Sequence, residues 1–364
     1  MIPIAEPVLG EEELSNVIKA VKSGWVSSKG EFVTEFETKF AEYCGVKYGT
    51  AVTSGTTALH LSLKALGVNK GDEVIIPTLT FIATANAVTY CNAKPVFVDS
   101  HPDYWCINPE KIEEKITKKT KAIIPVHLYG HPCDMDAIAD IAEDNGLSIV
   151  EDAAEAHGAE YKGRKTGSLG DVSCFSFYGN KIITTGEGGM CTTNDEELAE
   201  KMKLLRDHAM SEEKTYWHEM VGFNYRMTNL QAAIGVAQLK KLDSFIKKKR
   251  KIAEWYNKYL QNSIKHPEMP WAKCVYWMYS ILIENRDRVI HRLEKSGIES
   301  RPFFYPMHVL PPYRNNERYP VAEELSKRGI NLPSSPNLRM GDIKKIAEVI
   351  KIEVENSGSQ TRDR

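Results

Sequence analysis

The chain has 364 residues, 42% of them hydrophobic and 26% charged, with a formal net charge of −2. That is the composition of a globular protein too long for one hydrophobic core, so two units are expected, and nothing in the charge favours nucleic acid or an anionic membrane as partner. No apolar run is long enough to span a bilayer, the N-terminal Met1-Ile-Pro-Ile-Ala-Glu-Pro7 lacks the pattern of a secretory signal, and seven scattered cysteines without a Cys-x-x-Cys pair read as free cytoplasmic thiols rather than a metal site.

Apolar runs alternate with helix-period segments, the pattern of a mainly parallel α/β sheet. A strand is read over Gly49 to Thr53. A helix follows over Thr57 to Leu66, with Leu59, Leu63 and Leu66 on one face. Val74 to Ile76, Pro95 to Val98, Ala122 to Val126 and Leu147 to Val150 read as short buried strands. Asn108-Pro109 has the form of an N-cap and a first-turn proline. Asp134 to Asn145 reads as a helix stopped by Gly146. Val172 to Phe177 is a strand, and Asn194-Asp-Glu-Glu197 has capping-box spacing, opening a helix towards His208. After Thr228 a long helical pattern runs to Leu260, and its Lys247-Lys-Lys-Arg-Lys251 run reads as a solvated face. The character then changes: strand Val275 to Ile283, helix Arg286 to Lys295, a strand-like Glu299 to Phe304, and two more helical patterns. The expected organisation is a large α/β unit, 1–249, and a small α+β unit, 250–364, whose polar end from Ser357 frays.

Lys181 stands between the Val172 to Phe177 strand and the loop Thr184-Thr-Gly-Glu-Gly-Gly189. A lysine desolvated there has a lowered pKa and becomes an amine nucleophile towards carbonyl compounds. A lysine in a turn is more commonly an ordinary surface residue. Here, however, a second element, Leu147-Ser-Ile-Val-Glu-Asp152, is an apolar strand ending in an acid, where a pyridinium nitrogen takes its counter-ion.

Four segments together resemble the DegT-type sugar-nucleotide aminotransferases. They are Thr53-Ser-Gly-Thr-Thr-Ala-Leu59, Glu151-Asp-Ala-Ala-Glu-Ala-His-Gly158, Ser176 to Gly189, and Gly222-Phe-Asn-Tyr-Arg-Met-Thr-Asn229. The resemblance covers nearly the whole chain. Within that family, Val126 to Met135 and Phe177 to Lys181 look most like the GDP-perosamine synthases. What this implies is a type I pyridoxal-phosphate aminotransferase fold, pyridoxal 5′-phosphate as cofactor, and transfer of an amino group from L-glutamate to C4 of GDP-4-keto-6-deoxy-D-mannose. The implied setting is O-antigen sugar synthesis for lipopolysaccharide. It also implies a cytoplasmic homodimer with shared active sites, with no nucleic acid or membrane as partner. The alternatives are the same chemistry on a UDP- or dTDP-linked keto sugar, a sugar 3-dehydratase, or a non-catalytic cofactor-binding regulator. The dehydratases carry histidine where this chain has Lys181, and a regulator would be expected to have lost Lys181 or Asp152.

The resemblance assigns roles residue by residue. Lys181 is the cofactor lysine and the general acid/base, and Asp152 the partner of the ring nitrogen. Glu155 stands where many relatives have a glutamine on the ring oxygen; an ionised Glu155 would oppose an anionic oxygen, so it is expected to be protonated or turned away. Gly55 and Thr56 lie at a strand-to-helix turn whose N–H groups suit a phosphate. Ser176 adds a hydroxyl, Asn224 reaches the phosphate from the neighbouring subunit, and Phe81 stacks on the ring. Trp25, Ser27, Lys29, Arg226, Tyr305 and His308 are the substrate candidates. Each residue also has an ordinary structural reading as turn, cap or core.

Overall fold

The structure, a computed structural model, describes residues 1–211, 213–260 and 264–360. Two helices open it, α1 (Glu11–Ser23) and α2 (Glu31–Cys44), neither anticipated from the sequence. There follow β1 (Tyr48–Val52), α3 (Gly55–Ala65), β2 (Glu73–Pro77), α4 (Ala83–Tyr90), β3 (Lys94–Val98), β4 (Thr120–Ile123), α5 (Met135–Asn145) and β5 (Ser148–Asp152). A short ribbon, β6 (Glu160–Tyr161) and β7 (Arg164–Lys165), precedes β8 (Val172–Ser176), β9 (Gly189–Thr193), α6 (Glu196–Arg206) and the long α7 (Asn229–Tyr259). The remainder is β10 (Ile264–Lys265), β11 (Ala272–Lys273), β12 (Tyr279–Leu282), α8 (Arg286–Lys295), β13 (Arg301–Pro302), α9 (Pro320–Arg328), β14 (Gly329–Leu332) and α10 (Met340–Gln360).

The main sheet has the order β1-β9-β8-β5-β4-β2-β3. The β8-β5-β4-β2-β3 stretch is parallel, and β9 runs antiparallel to both β8 and β1. It follows that β1 runs parallel to β8. The carboxyl ends of β1, β2, β4, β5 and β8 therefore open on one edge, where ligands of α/β sheets bind. Phe36, Phe40, Phe175 and Phe177 are fully or almost fully buried beneath this edge, with ring centroids 4.8 to 5.9 Å apart. Such pairs contribute about 0.5–1.5 kcal/mol each beyond burial, and they make a stiff floor for the segment that carries Lys181.

A second sheet, β10-β12-β14-β13, packs with α8, α10 and the end of α7 around Ile252, Tyr256, Ile281, Leu293, Ile330 and Ile346. The helix α7 is continuous through residue 250 and contributes buried residues to both cores. Phe303, Met307 and Tyr319 return to pack on the core of the main sheet. Among the described residues, no helix is long and apolar enough to cross a membrane.

Several local expectations are corrected. Asn108 accepts the Glu110 N–H as expected, yet the turn it caps is a 3₁₀ turn, Pro109–Lys111, and not a helix. The cap of α6 is Asp195, which accepts the Leu198 N–H at 2.9 Å, while Asn194 instead accepts the Lys47 N–H. The strand expected from Val275 is confined to Tyr279–Leu282, because Tyr276 takes a left-handed φ of 50° that breaks strand geometry. The end expected to fray divides: residues 357–360 continue α10 and residues 361–364 lie outside the described part.

Candidate active site

Asp152 is the last residue of β5, and its register partner in β8 is Cys174. The turn that carries Lys181 leaves β8 a few residues later, so the acid and the amine meet on the same edge. Ser54, at the carboxyl end of β1, caps α3: its hydroxyl accepts the Thr57 N–H, and Thr57 returns the favour to the Ser54 N–H. Capping this way leaves the first-turn amides of Gly55 and Thr56 without helical carbonyl partners. A Cβ on Gly55 would come 2.8 Å from Cβ of Ser176, so glycine is required for the loop to lie this close to β8. Gly189 is required likewise, since its Cβ would meet the Ser54 carbonyl at 2.3 Å.

These elements enclose a cavity of about 440 Å³. Gly55, Thr56, Phe81, Asp152, Glu155, Ser176 and Lys181, all expected from sequence, line it together. At its base Asp152 accepts Thr84 Oγ1 at 2.9 Å on one oxygen and the Ala154 N–H at 3.2 Å on the other. Burial raises the Asp152 carboxyl above its ordinary value, against the hydrogen bonds of Thr84 and Ala154 and the charge of Lys181. Burial is also the largest influence on Lys181 and lowers its pKa, opposed by the charges of Glu155 and Asp152. Glu155 lies 3.9 Å from Lys181 Nζ and accepts the Tyr129 N–H at 2.8 Å. Burial lifts it to about 7, with the Lys181 charge resisting. The shift is in the direction that favours the protonated carboxyl.

Thr84, Trp277 and Asn331 share the cavity and are not singled out by the sequence; Asn180 and Glu187, inside the Ser176 to Gly189 motif, and Arg301, at the start of the Arg301 to His308 stretch that the family resemblance links to the substrate, share it too, without an individual role from sequence. Thr84 had a signal, three residues after Phe81 in the segment that enters α4. Trp277 had none: it lies beside Lys181 only because the 275–279 segment folds back over the sheet edge, its indole centroid 3.9 Å from Lys181 Nζ.

The substrate candidates do not reach the cavity within one chain. Trp25, Ser27 and Lys29 are exposed on a segment tied to the start of α7, where Asn229 donates to the carbonyls of Trp25 and Ser27. Gln231 in the same turn donates to the Glu187 carbonyl, which brings that segment to the lip of the cavity. Arg226 is ion-paired with Asp207, and Tyr305 is exposed. Asn224 is exposed and bridges to Asp207 through the main chain. His308 does not line the cavity. It is buried, its Nδ1 lies 2.8 Å from Thr78 Oγ1 and its Nε2 3.4 Å from Glu323, and its ring packs on Tyr319.

The donors and acceptors of this cavity fit pyridoxal phosphate: free helix-start amides with hydroxyls at one end, a buried carboxylate at the base, and an amine between them. The family comparison agrees. Residues 7–351 match the model of the DegT/DnrJ/EryC1/StrS aminotransferase family. The chain is 49% identical to GDP-perosamine synthase of Caulobacter vibrioides, over 95% of this chain and 96% of that protein. It is 48% identical to GDP-perosamine synthase of Escherichia coli O157:H7, over 96% and 97% of the two chains. The PLP form of the putative sugar aminotransferase Spr1654 from Streptococcus pneumoniae superposes with a TM-score of 0.93 at 29% identity, covering 98% of this chain and 99% of that one. With cavity, strand ends and lysine arranged as above, the chain belongs to the DegT/DnrJ/EryC1/StrS aminotransferase family.

Proposed function

We propose that this enzyme transfers an amino group from L-glutamate to C4 of GDP-4-keto-6-deoxy-D-mannose, giving GDP-perosamine and 2-oxoglutarate. The observation that carries the sugar assignment is near-full-length identity of 45–49% to three GDP-perosamine synthases. The cofactor is pyridoxal 5′-phosphate. When bound it supplies an aldehyde that exchanges amines and a protonated ring that withdraws electrons from the reacting carbon.

The chain's own residues have these roles in the reading. Gly55 and Thr56 offer main-chain N–H groups, and Ser176 a hydroxyl, to the phosphate dianion at the positive end of α3. Asp152, fixed by Thr84 and Ala154, keeps the ring nitrogen protonated. Glu155 in its protonated form donates to the ring oxygen. Phe81 packs on the ring face. Lys181 holds the cofactor at rest and, once freed, carries a proton on Nζ to and from the reacting carbon; its lowered pKa keeps part of the amine unprotonated for that work.

The same reading divides the chain into a cofactor-binding unit, 1–249, and a smaller unit from residue 250. It also makes the enzyme a cytoplasmic homodimer that serves O-antigen synthesis, with Asn224 of each chain completing the neighbour's phosphate site. Turnover of GDP-, UDP- and dTDP-linked 4-keto-6-deoxy sugars with glutamate, followed by mass spectrometry, tests the substrate. We expect kcat/KM for the GDP sugar to lead by about two orders of magnitude, the discrimination available when a wrong ligand leaves buried polar groups unpaired. Equal or better turnover of a UDP or dTDP sugar would refute the GDP assignment.

A further inference from the structure

Lys249, on α7, is buried at 4% exposure. Its Nζ donates to the carbonyl of Ser334 at 2.7 Å and to the carbonyl of Trp277 at 3.2 Å. Burial pushes its pKa down to about 7. Amine and ammonium alike can donate to two carbonyls, so the tether does not depend on its charge. Trp277 is held at its other end as well: Nε1 donates to the carbonyl of Asn180, one residue before Lys181, at 2.8 Å. Clamped at main chain and indole, the ring sets its face toward Lys181 Nζ, with 3.9 Å between that atom and the ring centroid.

We propose that Trp277 is a further catalytic residue of this site, its indole face holding the freed amine of Lys181 between proton transfers. Lys249 is the positioning residue that sets the indole there. This rests on the reading of Lys181 as the cofactor lysine. A freed lysine has four side-chain torsions and a cavity to wander in. An aromatic face is negative at its centre and attracts an ammonium, and far less a neutral amine. The indole therefore both restrains Nζ and favours its protonated form, against the burial that disfavours it. The other groups around Nζ are Glu155 at 3.9 Å and Asp152, whose charges act in the same direction as the indole; the Lys181 charge also reaches His157, which burial keeps neutral. Glu187 and Arg301 line the cavity, and Glu6 and Lys249 line the narrow gap behind Lys181.

The test reads Lys181 itself in the full-length apoprotein. Acetylation by acetic anhydride is followed from pH 6 to 11 by mass spectrometry of the Lys181 peptide, with exposed lysines as internal standards. In Trp277→Leu the apparent pKa of Lys181 is expected to fall by roughly 0.5–1.5 pH units, the range a partly desolvated cation–π contact corresponds to. Trp277→Phe, which keeps a weaker face, falls by less. Lys249→Met shifts in the same direction, and Lys249→Gln, which keeps an N–H donor, recovers part of the loss. A merely structural Lys249 would lower the melting temperature and leave the Lys181 pKa where it was. An unchanged pKa in folded Trp277→Leu, or in Trp277→Phe should the leucine variant not fold, overturns the role of Trp277. A shift with Trp277→Leu but none with either Lys249 variant overturns the positioning role. Borohydride reduction of the wild-type holoenzyme separates the two levels. A pyridoxyl group fixed away from Lys181 overturns the proposed function, whereas one fixed on Lys181 with flat variant pKa values overturns this inference alone.

Discussion

His127 and Glu151 form a fully buried pair, Nε2 donating to Oε1 at 2.9 Å. The Cys133 N–H donates to Nδ1 at 3.0 Å, which makes that nitrogen the acceptor and leaves the proton on Nε2. Glu151 also accepts the N–H groups of Gly167 and Leu169 and the hydroxyl of Ser173. Burial raises its pKa, but the bonds from His127, Ser173 and Gly167 outweigh it and hold the carboxyl below its ordinary value. Successive strand residues face opposite ways. Glu151 therefore anchors β5 below the sheet while Asp152 faces the cavity above it.

Removing that anchor should be costly. Glu151→Ala strands four donors in a dry interior, and breaking a buried network of this kind costs about 3–5 kcal/mol. Urea denaturation of the apoprotein measures it. Because the folded carboxyl is depressed, its share of stability is present above the unfolded pKa of about 4.3 and is lost as acid carries the pH down through the folded value. The difference in stability between wild type and variant should shrink along the same limb. A change below about 1 kcal/mol at neutral pH would mean that water replaces the network.

Lys181→Ala removes tether and proton carrier together and should lower kcat by at least about 10²–10⁴-fold, the range of general acid/base contributions. Asp152→Asn keeps the size of the side chain and removes its charge. The variant should bind cofactor, seen by its absorbance, and lose most of its transamination rate. Full turnover in Asp152→Asn would reduce that residue to a structural strand end.

Glu155 predicts a pH effect of opposite sign to that of Glu151. Its folded pKa is raised to about 7, against roughly 4.3 unfolded. Between those values the folded apoprotein keeps a proton that the unfolded chain has lost. Stability from this group therefore falls as pH rises from about 4.5 to 7, by at most about 1.4 kcal/mol per pH unit, and then levels. Glu155→Gln removes the titration while retaining a donor for the ring oxygen. The wild-type-minus-variant difference in urea midpoint should slope downward across that window. A flat difference would show the carboxyl ionised throughout.

Asn224, exposed and outside the cavity of its own chain, is expected to act in the neighbour's site. Inactive Lys181→Ala and inactive Asn224→Ala proteins, mixed under conditions that exchange subunits, should regain part of the activity. One of the two sites in each mixed dimer then has an intact lysine and an intact asparagine. Verified exchange without recovery would place Asn224 in a role within its own chain.

The strands of the parallel part, the end of β5 at Asp152 and the strand-to-helix turn at Gly55 were legible along the chain because their signals are local, although the helix read from Thr57 begins two residues earlier, at Gly55. Apolar runs of strand length and turn glycines act within a few residues of themselves. Lys181 was legible for the same reason, as a motif at the end of a strand. The sequence alone thus determined an α/β chain with an amine and an acid at two strand ends. Only the tertiary structure decided that those ends share an edge, since that depends on strand order and on β9 running against its neighbours. It also decided the company of Lys181: Trp277 comes from a segment 96 positions further along the chain, and Glu155 reaches a pKa of about 7 only because the surrounding layers remove it from water. Spacing along a chain carries neither burial nor long-range proximity, and for that reason the place of His308, between Thr78 and Glu323 and outside the cavity, was not legible in the sequence.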